Sequence, residues 1–180
     1  MKIKTRDMVL VALFAGLTAV GAFLRIPIGP APISMQNFFT VMSGCLLGAR
    51  LGAASQGLYV SLGLIGVPVF TSGGGPSYLL NPTFGFLLGF IFCAWIIGRL
   101  MDGKKPSVFG FFLASLVGST VVYAIGVPWL YVILTKVSGM DITFMEAVKM
   151  GCLVFIPGDL VKIALVSWLS SRIVPLIAKG

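Results

Sequence analysis

Phe155-Ile156-Pro157-Gly158-Asp159-Leu160-Val161-Lys162 sets an acid and a base three residues apart inside strongly apolar sequence. On a helix that spacing puts both side chains on one face. The surrounding run from Asp141 to Arg172 would measure about 48 Å as one straight helix, against a hydrocarbon core of about 30 Å. It must therefore break, and Pro157-Gly158 offers the place: a short outer helix over about 143–153, then a membrane helix over about 157–174 with proline in its favoured first turn. Asp159 then lies where the positive end of the helix dipole favours a carboxylate, with Lys162 about 4.5 Å further along the axis. Ionisable groups at membrane depth are costly and face a bundle interior or a wet cavity. The pair reads as the polar end of a small-molecule pocket open toward the outer half of the membrane. A structural ion pair that only fixes helix packing is the competing reading.

Mean hydropathy of +1.06, 58% hydrophobic residues and only 10% charged residues exclude an ordinary soluble domain, whose charged fraction is about 25%. The chain reads as an all-α, multi-pass membrane protein forming one domain over 1–180, with room for roughly five to seven spanning helices. A net charge of +8 does not point to nucleic acid, because the basic residues sit at segment ends rather than on a stripe interleaved with aromatics. Cys45, Cys93 and Cys152 lie in apolar sequence without metal-like spacing and read as packing residues. Lys2, Lys4 and Arg6 before the run Met8–Leu24 imitate a signal peptide, but the run is long and is expected to be a retained first helix.

In order, helices are expected at about 8–24, 37–48, 51–66, 83–101, 108–134 and 157–174. Ala12 with Gly16 and Ala15 with Ala19 form small-xxx-small pairs on the first, a spacing that admits a close neighbour. Docking of a partner subunit and packing within the bundle both fit. Pro27, Pro30 and Pro32 forbid a helix over Arg25–Gln36, leaving a loop suited to a pocket lid. The second helix is short for a full span, which places Gln36 and Asn37 below the outer surface. The uncharged loop from Val67 to Thr83 carries Gly73, Gly74 and Gly75, which permit close main-chain approach to a ligand. No Lys-Ser or Lys-Thr follows, so it is not a nucleotide loop. Asn81, held extended by Pro82, would aim its amide at one spot. Gly85 and Gly89 suit close packing, and Gly126 with Pro128 should kink the fifth helix or mark its outer end, beside Trp129 and Tyr131 in an interfacial belt.

Lys2, Lys4, Arg6, Arg50, Arg99, Lys104, Lys105, Arg172 and Lys179 collect on one side, against Arg25, Lys136 and Lys149 on the other. Cytoplasmic N and C termini satisfy this bias, and the connections 25–36, 67–82 and 136–146 then face outward. With no histidine in the chain, imidazole catalysis and the common zinc sites are excluded. No nucleophile, base and orienting group stand together. The chain is therefore expected to bind rather than catalyse, with no metal and no cofactor. Asp159 accepts hydrogen bonds, Lys162 donates them, and Asn81 and Gln36 do both; Phe70, Tyr78 and Phe84 would supply apolar walls. Such a set suits an uncharged ring with N–H and C=O edges, or a ligand with a carboxylate.

Pro30-Ala31-Pro32-Ile33-Ser34-Met35-Gln36, Gly63-Leu64-Ile65-Gly66-Val67-Pro68-Val69-Phe70, the glycine run, Asn81-Pro82-Thr83 with Gly85, and Pro157-Gly158-Asp159-Leu160-Val161-Lys162 follow one another in an order that resembles BioY. That family is the biotin-specific substrate-capture component of energy-coupling factor transporters. The resemblance covers nearly the whole chain, departing at Ser34, where the family has Thr, and at Phe84, where Gly is common. It implies a six-helix bundle in the cell membrane of a prokaryote, holding biotin near the external face. Asp159 and Lys162 would take the ureido ring, while Asn81 and the glycine loop help hold the ligand and its valerate tail. It also implies a membrane scaffold subunit and two cytoplasmic ATPases as partners, with the small-residue face of the first helix as a docking candidate. Two other classes remain: a self-sufficient secondary carrier in which Asp159 and Lys162 relay a proton, though no second charged interruption or internal repeat supports it, and a purely structural membrane component.

Overall fold

Backbone polar groups in lipid must be satisfied within the chain, which leaves helices as the default for apolar sequence of this length. The computed structural model describes residues 4–177; Lys2 and Lys179 lie outside the described residues. Helix α1 covers Thr5–Phe23, and a hairpin of β1, Arg25–Ile26, and β2, Ile33–Ser34, follows it, with Arg25 opposite Ser34. Then come α2, Gln36–Leu64, a single 3-10 turn at Pro76–Leu80, α3, Phe84–Met101, and α4, Val108–Val132, which runs on as a wider π turn over Ile133–Val137. The chain ends with α5, Phe144–Val148, a second π turn over Lys149–Leu153, and α6, Ile156–Ile177. Five helical runs among the described residues are long and apolar enough to cross a membrane: Thr5–Phe23, Gln36–Leu64, Phe84–Met101, Val108–Val137 and Phe144–Leu176.

The second of these is folded on itself. Gly48 has φ 76° and ψ −178°, a conformation open to glycine and strained for other residues, and the two arms run back to back from there. Gln36 meets Tyr59, Thr40 meets Gln56, and Gly44 meets Gly52 across the crease. The bundle thus has six main helical segments. The arm 36–47 rises only about 18 Å, short of a core of about 30 Å, and its first residue Gln36 is tied to Ser34 of the β hairpin. Thr18, Thr40, Ser43, Ser55 and Gln56 form a buried hydrogen-bonded cluster that ties α1 to both arms.

Glycines let α3 press against its neighbours. A Cβ on Gly98 would stand 2.0 Å from the Ala49 nitrogen, and one on Gly89 2.8 Å from the Val122 Cα. Gly126 and Pro128 do not end the fifth segment, since α4 continues through both to Val132. Gly126 instead receives the Phe86 ring. Trp129 turns inward, its ring centroid 5.6 Å from that of Phe84 and its Nε1 donating to the Asn81 carbonyl at 3.3 Å, while Tyr131 meets Phe144 edge-on. The break before α6 falls at Val154-Phe155, two residues ahead of Pro157-Gly158, because proline is accommodated inside the first helical turn rather than before it.

The small residues of α1 do not share one face. Ala15 is buried and Ala19 half-buried against the bundle, whereas Ala12 and Gly16 point outward, with no atom within 4 Å of a Cβ built on Gly16. One end of the bundle brings Asp7, Gly48, Arg50, Arg99, Lys104 and Val174 around a single groove. The other end carries the hairpin, the 3-10 turn and the start of α6. Replacing Gly98 by Ala should lower unfolding stability by about 1–3 kcal/mol through backbone displacement, visible as a reduced Tm in detergent; Gly16→Ala, inside helix α1 with open space around it, should hold or slightly raise Tm.

Candidate functional site

The first turns of α6 carry Asp159 and Lys162 on one face, and that face meets the start of α2, the middle of α4 and strand β2. Lys162 Nζ lies 3.0 Å from Asp159 Oδ1, with both side chains largely buried. The same ammonium donates to the Ser34 carbonyl at 2.7 Å. Asp159 Oδ2 accepts from Asn37 Nδ2 at 2.7 Å and from the Tyr123 hydroxyl. A carboxylate with three donors, one of them the paired ammonium, is electrically balanced, which is the condition for keeping charge away from water. Four separate elements therefore depend on one carboxyl group for their alignment.

Beside this cluster lies a cavity of about 60 Å³, room for several water-sized groups. Asp159, Lys162, Asn37 and Tyr123 form its floor; Phe86, Phe90 and Phe155 form apolar walls. Its roof comes from Ala31, Pro32 and Ser34 of the first connection and from Thr71 and Thr83 flanking the glycine loop. Gln36 lines it too, its Nε2 donating to the Tyr59 hydroxyl at 2.6 Å and its Oε1 accepting from Ser34 Oγ at 2.9 Å.

Of the residues expected from sequence, the cavity brings together Asp159, Lys162 and Gln36. The others stand one layer behind its wall. Asn81 Oδ1 accepts from the Thr83 amide at 2.9 Å and its hydroxyl at 2.8 Å, and the Tyr78 hydroxyl bridges Thr71 and Thr83 at 3.0 Å each. Phe70 is buried between Tyr59 and Tyr78, and Phe84 packs on Trp129. Gly74 and Gly75 do allow close main-chain approach, to the last turn of α2 and the residues just after it rather than to the cavity, while a Cβ on Gly73 would meet open space. A Cβ on Gly74 would lie 2.3 Å from the Val67 carbonyl oxygen, and the Gly75 amide donates to the Gly63 carbonyl at 2.7 Å. The connection 136–146 contributes nothing to the lining.

Two floor residues had no role assigned from sequence. Asn37 was placed at depth without a partner, because nothing local indicates that α6 reaches it. Tyr123 had a readable signal: Ser115, Ser119 and Tyr123 recur every four residues on an otherwise apolar helix, a polar stripe on one face, and both serines are buried. Asn37 Oδ1 is buried and accepts no hydrogen bond among the described residues. Lys162 uses two of its three N–H groups. An unfilled acceptor and a spare donor thus belong to the two residues that flank the Asp159 carboxylate in the chamber lining, a pairing complementary to a small ring carrying adjacent N–H and C=O groups.

The BioY family pattern matches residues 1–179. A Lysinibacillus sphaericus protein named probable biotin transporter BioY is 47% identical over 131 residues, covering 72% of this chain and 67% of that protein. One of the same name from Pyrococcus horikoshii is 37% identical over 171 residues, covering 94% of this chain and 97% of its own. A crystal structure at 2.1 Å, described as the S-component for biotin from an ECF-type ABC transporter, superposes with a TM-score of 0.83 at 30% identity, covering 96% of this chain and 94% of that one.

Removing only the ammonium by Lys162→Met should cost about 3–5 kcal/mol, because the buried carboxylate loses its counter-charge. Adding Asp159→Leu to that variant should recover only part of the loss, because the uncompensated charge goes but Asn37 Nδ2 and the Tyr123 hydroxyl lose their acceptor, as read from thermal unfolding of the single and double variants without ligand.

Proposed function

Because the chain belongs to the BioY family, we propose that it captures biotin in the Asp159–Lys162 cavity, as the substrate-binding component of an energy-coupling factor importer of the cell membrane. The observation that carries this reading is that Asn37, with its Oδ1 unfilled, and Lys162, with a spare N–H, both bond the Asp159 carboxylate in the cavity lining. A cyclic urea presents one carbonyl between two N–H groups. Lys162 donates to the carbonyl, Asn37 Oδ1 accepts from one N–H, and the remaining lone pair of Asp159 Oδ1 accepts from the other. The sulfur-containing ring lies against Phe86, Phe90 and Phe155. Tyr123 and Ser34 orient the ion pair, and Asn81, Tyr78, Phe70 and the three glycines shape the roof through Thr71 and Thr83.

In this reading the ligand enters from outside under the hairpin and the glycine loop, and both termini are cytoplasmic, consistent with Arg50, Arg99 and Lys104 gathering at the opposite end. A membrane scaffold subunit and two cytoplasmic ATPases supply the energy. Ala12 and Gly16, facing outward on α1, form the part of the small-residue set available for docking. The chain acts as a transporter component without catalytic chemistry of its own. A self-sufficient proton-coupled carrier finds less support: among the described residues Asp159–Lys162 is the only buried ion pair, and no second broken helix mirrors the start of α6.

Calorimetric titration of the purified chain with biotin should give saturable binding. Asp159→Asn, Lys162→Ala and Asn37→Ala should each weaken it by about ten- to a hundredfold, the equivalent of one lost buried hydrogen-bond partner, and unchanged affinity in all three would refute the site. Vesicles containing this chain alone should bind biotin without accumulating it; accumulation driven by a proton gradient would favour the carrier.

A further inference from the structure

The ion pair and its neighbours account for a polar head group, but not for a tail. The roof of the cavity has its own cation. In the hairpin, Arg25 is paired across the ladder with Ser34, the residue whose carbonyl receives Lys162 and which itself lines the cavity. On its other side, Arg25 Nη1 donates to the carbonyl of Thr71, also a lining residue. The guanidinium therefore sits where the two connections forming the roof meet, at the rim of the chamber. The residue is exposed, so a group reaching the rim can meet it.

Its charge is unmatched. Neither the Arg99–Asp102 nor the Lys162–Asp159 ion pair includes Arg25. Since Lys162 balances Asp159, the floor is neutral and the rim is positive. One backbone carbonyl occupies one of five guanidinium N–H groups, leaving the planar fork free for the two oxygens of a carboxylate, the partner that arginine binds best. A ligand with an uncharged polar ring at one end and a carboxylate at the other, seated ring-down, brings its anion to this rim.

We propose that Arg25 binds the carboxylate of the ligand tail and makes the site select a free acid over its neutral derivatives. The inference rests on the biotin reading and adds to it the residue that recognises the tail. The competing role is a latch, in which the Arg25–Thr71 hydrogen bond only holds the roof together.

The two roles separate with two ligands, biotin and its uncharged methyl ester, titrated against the purified full-length protein and its Arg25→Gln, Arg25→Ala and Arg25→Lys variants. The wild type should prefer the acid by about tenfold or more, the scale of a charge-assisted hydrogen bond. Arg25→Gln, which keeps an amide donor for Thr71 but no charge, and Arg25→Ala should lose that preference while holding the ester within about twofold of wild type. Arg25→Lys should retain part of it. Ester binding reports an intact fold in each variant. Equal loss for acid and ester in the variants would establish the latch and overturn the proposal, as would no loss for either. A wild type that binds the acid and the ester equally would overturn the proposal while leaving the biotin reading in place, whereas a wild type that binds neither would remove both.

Discussion

Everything at the cavity end of this bundle is aligned by one carboxylate. Asp159 receives Lys162 from its own helix, Asn37 from α2 and Tyr123 from α4, and Lys162 in turn holds the carbonyl of Ser34 in the hairpin. Buried charge in apolar surroundings is tolerated only when its hydrogen-bonding capacity is met. That requirement turns a potential liability into a positional constraint: three helices and a strand must meet at one point. It also leaves a specific remainder, an unfilled amide oxygen and a spare ammonium proton, the two groups on which the proposed biotin site rests.

The constraint can be met because the helices come close enough. Gly48 folds α2 back on itself, and the short arm 36–47 delivers Gln36 and Asn37 to the cavity lining, beside Ser34 of the hairpin. Gly89 and Gly98 let α3 lie against α4 and the α2 crease with main-chain contact. These contacts replace the hydrophobic drive that is missing between helices in lipid with dense van der Waals packing. The cavity then occurs where packing stops, above the polar floor.

The roof is built in two layers. Ser34, Thr71 and Thr83 face the chamber, and behind them Tyr78, Asn81 and Phe70 fix their positions through hydroxyl, amide and ring contacts. The glycine loop belongs to this second layer, folded down on the end of α2. Arg25 joins the first connection to the second at the rim, so the rim carries the positive charge and the residues deepest in the chamber carry none in excess.

The sequence alone determined the membrane class, the six-segment bundle and the pairing of Asp159 with Lys162 on one helix face, because hydropathy over about 20 residues, helix-breaking prolines and charge inside apolar sequence are local properties. The tertiary structure alone decided which polar residues share the chamber. Asn37 and Asp159 are separated by 122 positions, and Tyr123 lies 36 positions before Asp159, distances over which no local spacing reports contact. The glycines illustrate the same limit: their sequence announces close main-chain approach, and only the folded chain shows that the approaching backbone is helix α2. The split of Ala12 and Gly16 from Ala15 and Ala19 has the same origin, since small residues license contact on either side of a helix and the neighbours choose which side is used.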